Sequence, residues 1–183
     1  SRTERGMWCA VALVVVFAPL GYVALVSDVR ARRRAEDALA AESVTDALTG
    51  LLNRRGFEHV GAHALAHATR SREPGLLLYL DMNGFKPIND DCGHAAGDAA
   101  LRDVASALRS VFRDGDVIAR VGGDEFAILA CDASERDAGM LAARIDDALR
   151  TRSWGDAPYA PHRLRASVGV AAFDPYAPVP LRQ

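Results

Sequence analysis

Residues 76–80 (LLLYL) form a continuous apolar run between Pro74-Gly75 and the polar residues Asp81 and Asn83. A run of this length that is bounded by turn residues is typical of a strand buried in a protein core. Asp81 therefore stands where a buried strand ends, and an unpaired buried carboxylate there would be very costly. This position indicates that Asp81 has a role other than packing.

The other segments are assigned from their periodicity and composition: helices at 53–71, 96–112 and 138–150, and strands at 117–121, 125–131 and 164–173. Gly122-Gly123-Asp124 separates two of these strands and indicates a hairpin. With the first helix set aside, the order is β-α-β-β-α-β. This order predicts an α/β (α+β) fold of the ferredoxin-like type with extra helices.

Residues 7–26 contain no charged side chain, and a bilayer core requires about 20 apolar residues in a helix. Four arginines follow this run within residues 30–34, whereas only Arg2 and Arg5 precede it. The positive-inside bias then predicts an inner-membrane anchor with the following domain in the cytoplasm. A signal peptide and a buried core helix are the alternatives, and the length of the run argues against both.

This interpretation divides the chain into four parts. Residues 1–27 hold the membrane helix, 28–44 a helical linker, 45–174 a globular domain and 175–183 an irregular tail. The linker is either a helix that pairs with a second copy or a solvated spacer. The net charge of −2 gives no electrostatic reason to expect a nucleic-acid partner.

Acidic residues occur at two predicted strand ends: Asp81 after the first strand, and Asp124 and Glu125 at the hairpin. If these strands are neighbours, three carboxylates converge, and a hard cation such as Mg²⁺ would relieve their repulsion. Gly122 and Gly123 lack Cβ atoms and so let a ligand approach the backbone closely. Taken alone, the Gly-Gly-Asp turn is more simply an ordinary tight hairpin.

Residues 85–98 are predicted to form a polar loop that enters a helix. This segment offers a cation, Lys86, an amide that can read a base edge, Asn89, and an acid in the first helical turn, Asp98. A metal site, a cation for phosphate and base recognition on one surface together suggest a nucleoside triphosphate substrate.

Three segments in this order resemble the GGDEF diguanylate cyclases: residues 46–57 (DALTGLLNRRGF), 80–98 (LDMNGFKPINDDCGHAAGD) and 120–126 (RVGGDEF). The resemblance extends over about residues 46–173. Three motifs with this spacing are far more specific than one Gly-Gly-Asp alone. The fold implied is that of a nucleotidyl cyclase.

The resemblance implies a role for each matching residue. Asp81, the main-chain carbonyl of Met82, and Asp124 would bind Mg²⁺ or Mn²⁺, and Asp124 or Glu125 would help to deprotonate the 3′-hydroxyl of GTP. Asn89 and Asp98 would read guanine, with Gly122 and Gly123 beside the nucleotide. His94 would lie near the nucleotide and Lys86 would face its phosphates.

The implied reaction condenses two GTP molecules, held by two facing domains of a homodimer, into cyclic di-GMP with release of pyrophosphate. Arg113 and Asp116 match the R-x-x-D pattern at which the product inhibits the family, although an ordinary surface ion pair explains four residues equally well.

Two departures from the family pattern bear on activity. Asn83 stands where a second acid is usual, and the sequence ends at Gln183 without the family's final helix and its phosphate contacts. The alternative function is therefore a catalytically weak module that binds GTP or cyclic di-GMP. A cyclase that makes a cyclic mononucleotide is a third reading.

Overall fold

The computed structural model describes residues 43–151, 157, 159 and 162–175. The helices are α1 (Arg54–Ser71), α2 (Phe85–Cys92), α3 (His94–Val111) and α4 (Ala138–Thr151), with a 3₁₀ turn at Glu135–Asp137. The strands are β1 (Gly75–Met82), β2 (Val117–Arg120), β3 (Glu125–Cys131) and β4 (Ala166–Phe173). The predicted β-α-β-β-α-β order is confirmed.

The four strands form one sheet in the order β2-β3-β1-β4, and each neighbouring pair is antiparallel. β1 is an inner strand, as its apolar run predicts. Its end is paired with the start of β3, where Asp81 lies opposite Glu125.

Side chains along β1 alternate between the two faces of the sheet, and a separate apolar cluster lies on each face. Leu76, Leu78, Leu80 and Met82 are buried against the cluster that includes α3 and α4. The opposite face of β2 and β3 packs against α1, chiefly through Phe57. Side chains at alternate positions of β1, including Asp81, therefore lie on the α1 side of the sheet.

α1 begins at a side-chain cap, since the Asn53 Oδ1 accepts a hydrogen bond from the Gly56 N–H (2.9 Å). Its buried positions are Gly56, Phe57, Gly61 and Ala68. Val60 is exposed, whereas Gly56 lies against the Val44 main-chain oxygen.

The predicted loop at the start of residues 85–98 is wrong: Phe85–Cys92 is helical, and Gly93 joins it to α3. Pro87 does not prevent this helix because it lies in the first turn, where the N–H groups have no partner within the helix. Gly84 precedes the helix at φ +74°, a left-handed conformation that glycine adopts without strain.

The segment that leads into β4 holds α2 and α3 in place. Tyr159 is fully buried and donates a hydrogen bond to the Asp103 carboxylate on α3. The His162 Nε2 lies 3.3 Å from a carboxylate oxygen of Asp91 on α2. Both helices that frame the candidate site are thereby tied to the chain that precedes β4.

The predicted membrane helix (residues 7–26) and almost all of the predicted linker (28–44) lie outside the described residues, as does most of the predicted tail. Within the part of the chain that the structure describes, no helix has the length and apolar character to cross a membrane.

A matched pair of substitutions tests the packing at the start of α1. A Cβ atom at Gly56 would lie 2.1 Å from the Val44 main-chain oxygen, whereas a Cβ at Gly139 on α4 would meet nothing within 4 Å. We expect Gly56→Ala to lower the free energy of unfolding by about 1–3 kcal/mol. Gly139→Ala should raise it by up to about 1 kcal/mol. Urea denaturation of both variants measures the difference, and equal effects would contradict the packing described.

Candidate active site

The candidate site lies where β1 ends and β3 begins. Asp81 and Glu125 are register partners, and the Met82 N–H donates to the Asp124 main-chain oxygen (3.1 Å). Directly opposed residues of an antiparallel pair share a face of the sheet, so Asp81 and Glu125 both lie on the α1 side. Two segments more than forty residues apart in sequence thus place acids at one edge.

The Gly-Gly-Asp turn is shaped around Glu125. The N–H groups of Val121 and Gly122 donate to the Glu125 main-chain oxygen (3.0 and 3.3 Å). A Cβ at Gly122 would lie 2.1 Å from the Glu125 Oε2, so the carboxylate rests where a side chain would otherwise be. A Cβ at Gly123 would meet nothing within 4 Å, which leaves that side of the turn open to a ligand.

Tyr79 joins this group, although the sequence did not single it out. It precedes Asp81 by two residues and so shares its face of β1. Partial burial, a hydrogen bond to Glu125 and the negative charge of Glu125 raise the pKa of the Tyr79 hydroxyl, and nearby Arg54 opposes this. The period-two alternation of β1 was the signal that could have identified Tyr79.

The three acids do not form one cluster. In the part of the chain that the structure describes, no group of three or more carboxylate, imidazole or thiol side chains is placed to hold a metal ion. The predicted convergence of three carboxylates on one ion is therefore not found among the described residues, although the register places Asp81 opposite Glu125 and Asp124 is the residue before Glu125. The donors at this edge are nonetheless carboxylate and carbonyl oxygens, which suit a hard cation such as Mg²⁺.

The predicted base-reading residues Asn89 and Asp98 lie on α2 and α3, which contact each other at Asn89. A Cβ at Gly97 would lie 2.0 Å from the Asn89 Oδ1, so the Asn89 amide rests against the residue that precedes Asp98. His94 is exposed at the first position of α3.

Lys86 is paired within its own helix. Its Nζ lies 2.8 Å from a carboxylate oxygen of Asp90, and both side chains are exposed. This hydrogen bond and the charge of Asp90 raise the pKa of Lys86. An exposed ion pair of this kind contributes little free energy. Lys86 can therefore leave Asp90 and contact a phosphate.

The last residue of β2 also holds the Gly-Gly-Asp turn in place. Arg120 donates from Nη2 to the Gly123 main-chain oxygen (2.7 Å) and from Nη1 to the Asp46 carboxylate (3.3 Å). Asp46 in turn accepts hydrogen bonds from the N–H and hydroxyl of Thr49 (2.9 and 2.6 Å). The sequence marked Asp46 and Arg120 as motif residues but did not reveal that they meet.

Burial opposes ionisation of Asp46, but the hydrogen bonds from Thr49 and the charge of Arg120 outweigh it and lower its pKa below 3.8. The carboxyl group is therefore ionised at neutral pH and holds the guanidinium that contacts the turn.

Arg113 and Asp116 lie away from this edge. They line a cavity of about 450 Å³ at the other end of β3, beside Cys131 and Arg144. The predicted product site is thus separated from the candidate catalytic residues by the length of a strand.

Residues 43–180 match the family described as diguanylate cyclase, GGDEF domain. The chain is 37% identical over 157 residues to the probable diguanylate cyclase DgcE of Escherichia coli, covering 85% of the chain and 14% of that protein. It is 40% identical over 124 residues to the cyclic di-GMP phosphodiesterase PdeR of the same organism, covering 68% of the chain and 18% of PdeR.

Among solved structures, the chain resembles the GGDEF domain of DgcB from Caulobacter crescentus in complex with c-di-GMP, with a TM-score of 0.66 and 28% identity. The match covers 75% of this chain and 81% of that one. The chain spans less than a fifth of the length of DgcE and of PdeR.

The lowered pKa of Asp46 gives a pH-dependent prediction. A carboxyl group whose pKa is lower in the folded state than in the unfolded state stabilises the fold when the pH is above its unfolded-state pKa. This contribution is lost as the pH falls through the folded-state pKa. We expect Asp46→Asn to be less stable than the parent at pH 7, with a difference that shrinks below about pH 4. Urea denaturation across this range measures it. Asp146→Asn, which removes an exposed partner of Arg150, is the control, and an Asp46 difference independent of pH would contradict the assignment.

Proposed function

The chain belongs to the GGDEF domain family of diguanylate cyclases, and on this premise we propose that its domain condenses two GTP molecules into cyclic di-GMP. The observation that supports the proposal most is the pairing of Asp81 with Glu125, which sets the acids beside the open turn at Gly123. The Asn89 amide lies against Gly97, the residue before Asp98, and Asn89 and Asp98 would read the guanine edge.

We propose that Asp81, the Met82 carbonyl and Asp124 would hold Mg²⁺ or Mn²⁺. When bound, such an ion would neutralise charge on the triphosphate and favour the ionised 3′-hydroxyl. The site fits because its donors are oxygen atoms from carboxylates and a main-chain carbonyl. Glu125 is held in place by Tyr79 and by the vacant side-chain position of Gly122, and would accept the hydroxyl proton.

In each half-reaction the 3′-oxygen of one GTP forms a bond to the α-phosphorus of the other, and the bond from that phosphorus to the bridging oxygen breaks. Two such steps release two pyrophosphates and close the ring. Lys86 would contact the phosphates and His94 would lie near the nucleotide. The protein's contribution is then mainly the positioning of groups and the stabilisation of charge.

Because each domain would hold one GTP, the reaction requires two domains face to face. We propose a homodimer in which residues 28–44 pair as helices and raise the effective concentration of one domain near the other. The product would bind at Arg113 and Asp116 and inhibit turnover, since an arginine can bind phosphate oxygens in a bidentate manner.

The second candidate is a module that binds GTP or cyclic di-GMP without turnover. The observation in its favour is the match to part of PdeR, which is named a cyclic di-GMP phosphodiesterase and not a cyclase. The two candidates differ in one respect: whether GTP is consumed.

Incubation of the chain with GTP and Mg²⁺, followed by chromatography, tests the proposal. We expect cyclic di-GMP and pyrophosphate from the parent and at least about a hundredfold less from Asp124→Ala, because one metal ligand is lost. Asp146→Ala is the matched control, since it removes an exposed acid on α4 and should retain turnover.

If GTP remains unchanged while cyclic di-GMP binds, the binding module is the correct function. A cyclic mononucleotide as the product would also contradict the proposal. Full turnover in Asp124→Ala, with an unchanged circular dichroism spectrum, would remove Asp124 from the site.

We also propose that residues 7–26 anchor the chain in the inner membrane with the domain in the cytoplasm, on the strength of their uncharged composition and the arginines that follow. Fractionation of expressing bacterial cells tests this. We expect the chain in the membrane fraction after a high-salt wash and a variant without residues 7–26 in the soluble fraction. Recovery of both in the soluble fraction would contradict the anchor.

A further inference from the structure

The cavity at the far end of β3 is lined by charged residues of both signs: Arg113, Asp116, Asp132, Asp137 and Arg144. We call it the arginine pocket. Three carboxylates and two guanidinium groups give the lining a formal charge of −1. The distance of each carboxylate from the guanidinium groups therefore decides how the pocket receives a phosphate.

Two of the carboxylates are held by local hydrogen bonds. The side chain of Asp116 is only 6% exposed, and its oxygens accept from the N–H groups of Arg113 and Cys131 (both 3.0 Å). Asp137 accepts from the N–H and hydroxyl of Ser134 (both 2.8 Å), and these bonds lower its pKa. The carboxylates of Asp116 and Asp137 therefore stabilise the local backbone around the pocket.

Asp132 differs from Asp116 and Asp137 in two respects: it is exposed, and it approaches the Nη2 of Arg113. Asp116 also approaches this guanidinium, but its Oδ1 lies 3.7 Å from Nε and its side chain is almost fully buried. The side chain of Asp132 is 69% exposed, and a carboxylate oxygen lies 3.9 Å from the Arg113 Nη2. The same nitrogen donates to the main-chain oxygens of Cys131 and Asp132 (3.4 Å for the latter). Residues 131 and 132 thus present two carbonyls and one carboxylate to a guanidinium that is itself 60% exposed.

A phosphate that binds a guanidinium in a bidentate manner uses two neighbouring N–H groups. The Asp132 carboxylate competes for the same nitrogen, and its negative charge also repels an incoming phosphate at short range. We infer that Asp132 sets the affinity of the arginine pocket for cyclic di-GMP by acting as an internal competitor for Arg113. This inference rests on the proposed product site at Arg113 and Asp116.

Asp132→Asn is the appropriate variant. Asp132 adopts φ +50°, a left-handed conformation that asparagine also tolerates, so the substitution removes the charge without straining the backbone. Glu135→Gln is the matched control, because Glu135 is an exposed acid three residues along that does not line the cavity.

Isothermal titration of the full chain with cyclic di-GMP provides the readout. Because an exposed ion pair is weak, we expect Asp132→Asn to bind about two- to fivefold more tightly than the parent. Glu135→Gln should change the affinity less than Asp132→Asn does. The gain should disappear when Arg113→Ala is present in both proteins, since Asp132 acts through that side chain.

The possible outcomes distinguish a failure of the role of Asp132 from a failure of the proposed product site. If the parent binds and Asp132→Asn binds equally well, the inference fails while the product site stands. A gain that persists without Arg113 would also overturn the inference. If neither protein binds cyclic di-GMP, the proposed product site fails and the role of Asp132 fails with it.

Discussion

The antiparallel register of β1 against β3 is the constraint on which the candidate site depends. It sets Asp81 opposite Glu125 and brings the Met82 N–H to the main-chain oxygen of Asp124. Side chains alternate between the two faces of a strand, so a shift of one residue would move Asp81 to the opposite face from Glu125. The buried alternate residues of β1 oppose that shift, because it would expose the leucines that pack against α3 and α4.

Around this edge, polar side chains occupy the space that a Cβ atom would fill at two glycines. The Glu125 carboxylate rests against Gly122, and the Asn89 amide rests against Gly97. A third glycine, Gly123, accepts hydrogen bonds from a guanidinium that Asp46 holds. These glycine contacts lie within single motif segments. The segments meet through the Arg120–Asp46 ion pair and through the pairing of β1 with β3.

Much of this architecture could be predicted from periodicity alone, because β1, α3 and α4 carry strong apolar patterns. α2 could not, since its polar composition and Pro87 resemble a loop, and only its place in the fold shows Pro87 in a first turn. The position of each acid at a strand end was predictable. Their grouping was not, because it depends on register, and the approach of Asp132 to Arg113 depends on a left-handed residue that no pattern reveals.

A crystal structure of the chain with Mg²⁺ and a non-hydrolysable GTP analogue would test the central claim most directly. We expect carboxylate oxygens of Asp81 and Asp124 to lie about 2.0–2.1 Å from one shared ion, with guanine against Asn89. The result that would contradict it is an Asp124 side chain directed to the α3 face of the sheet while Asp81 faces α1, with no ion between them.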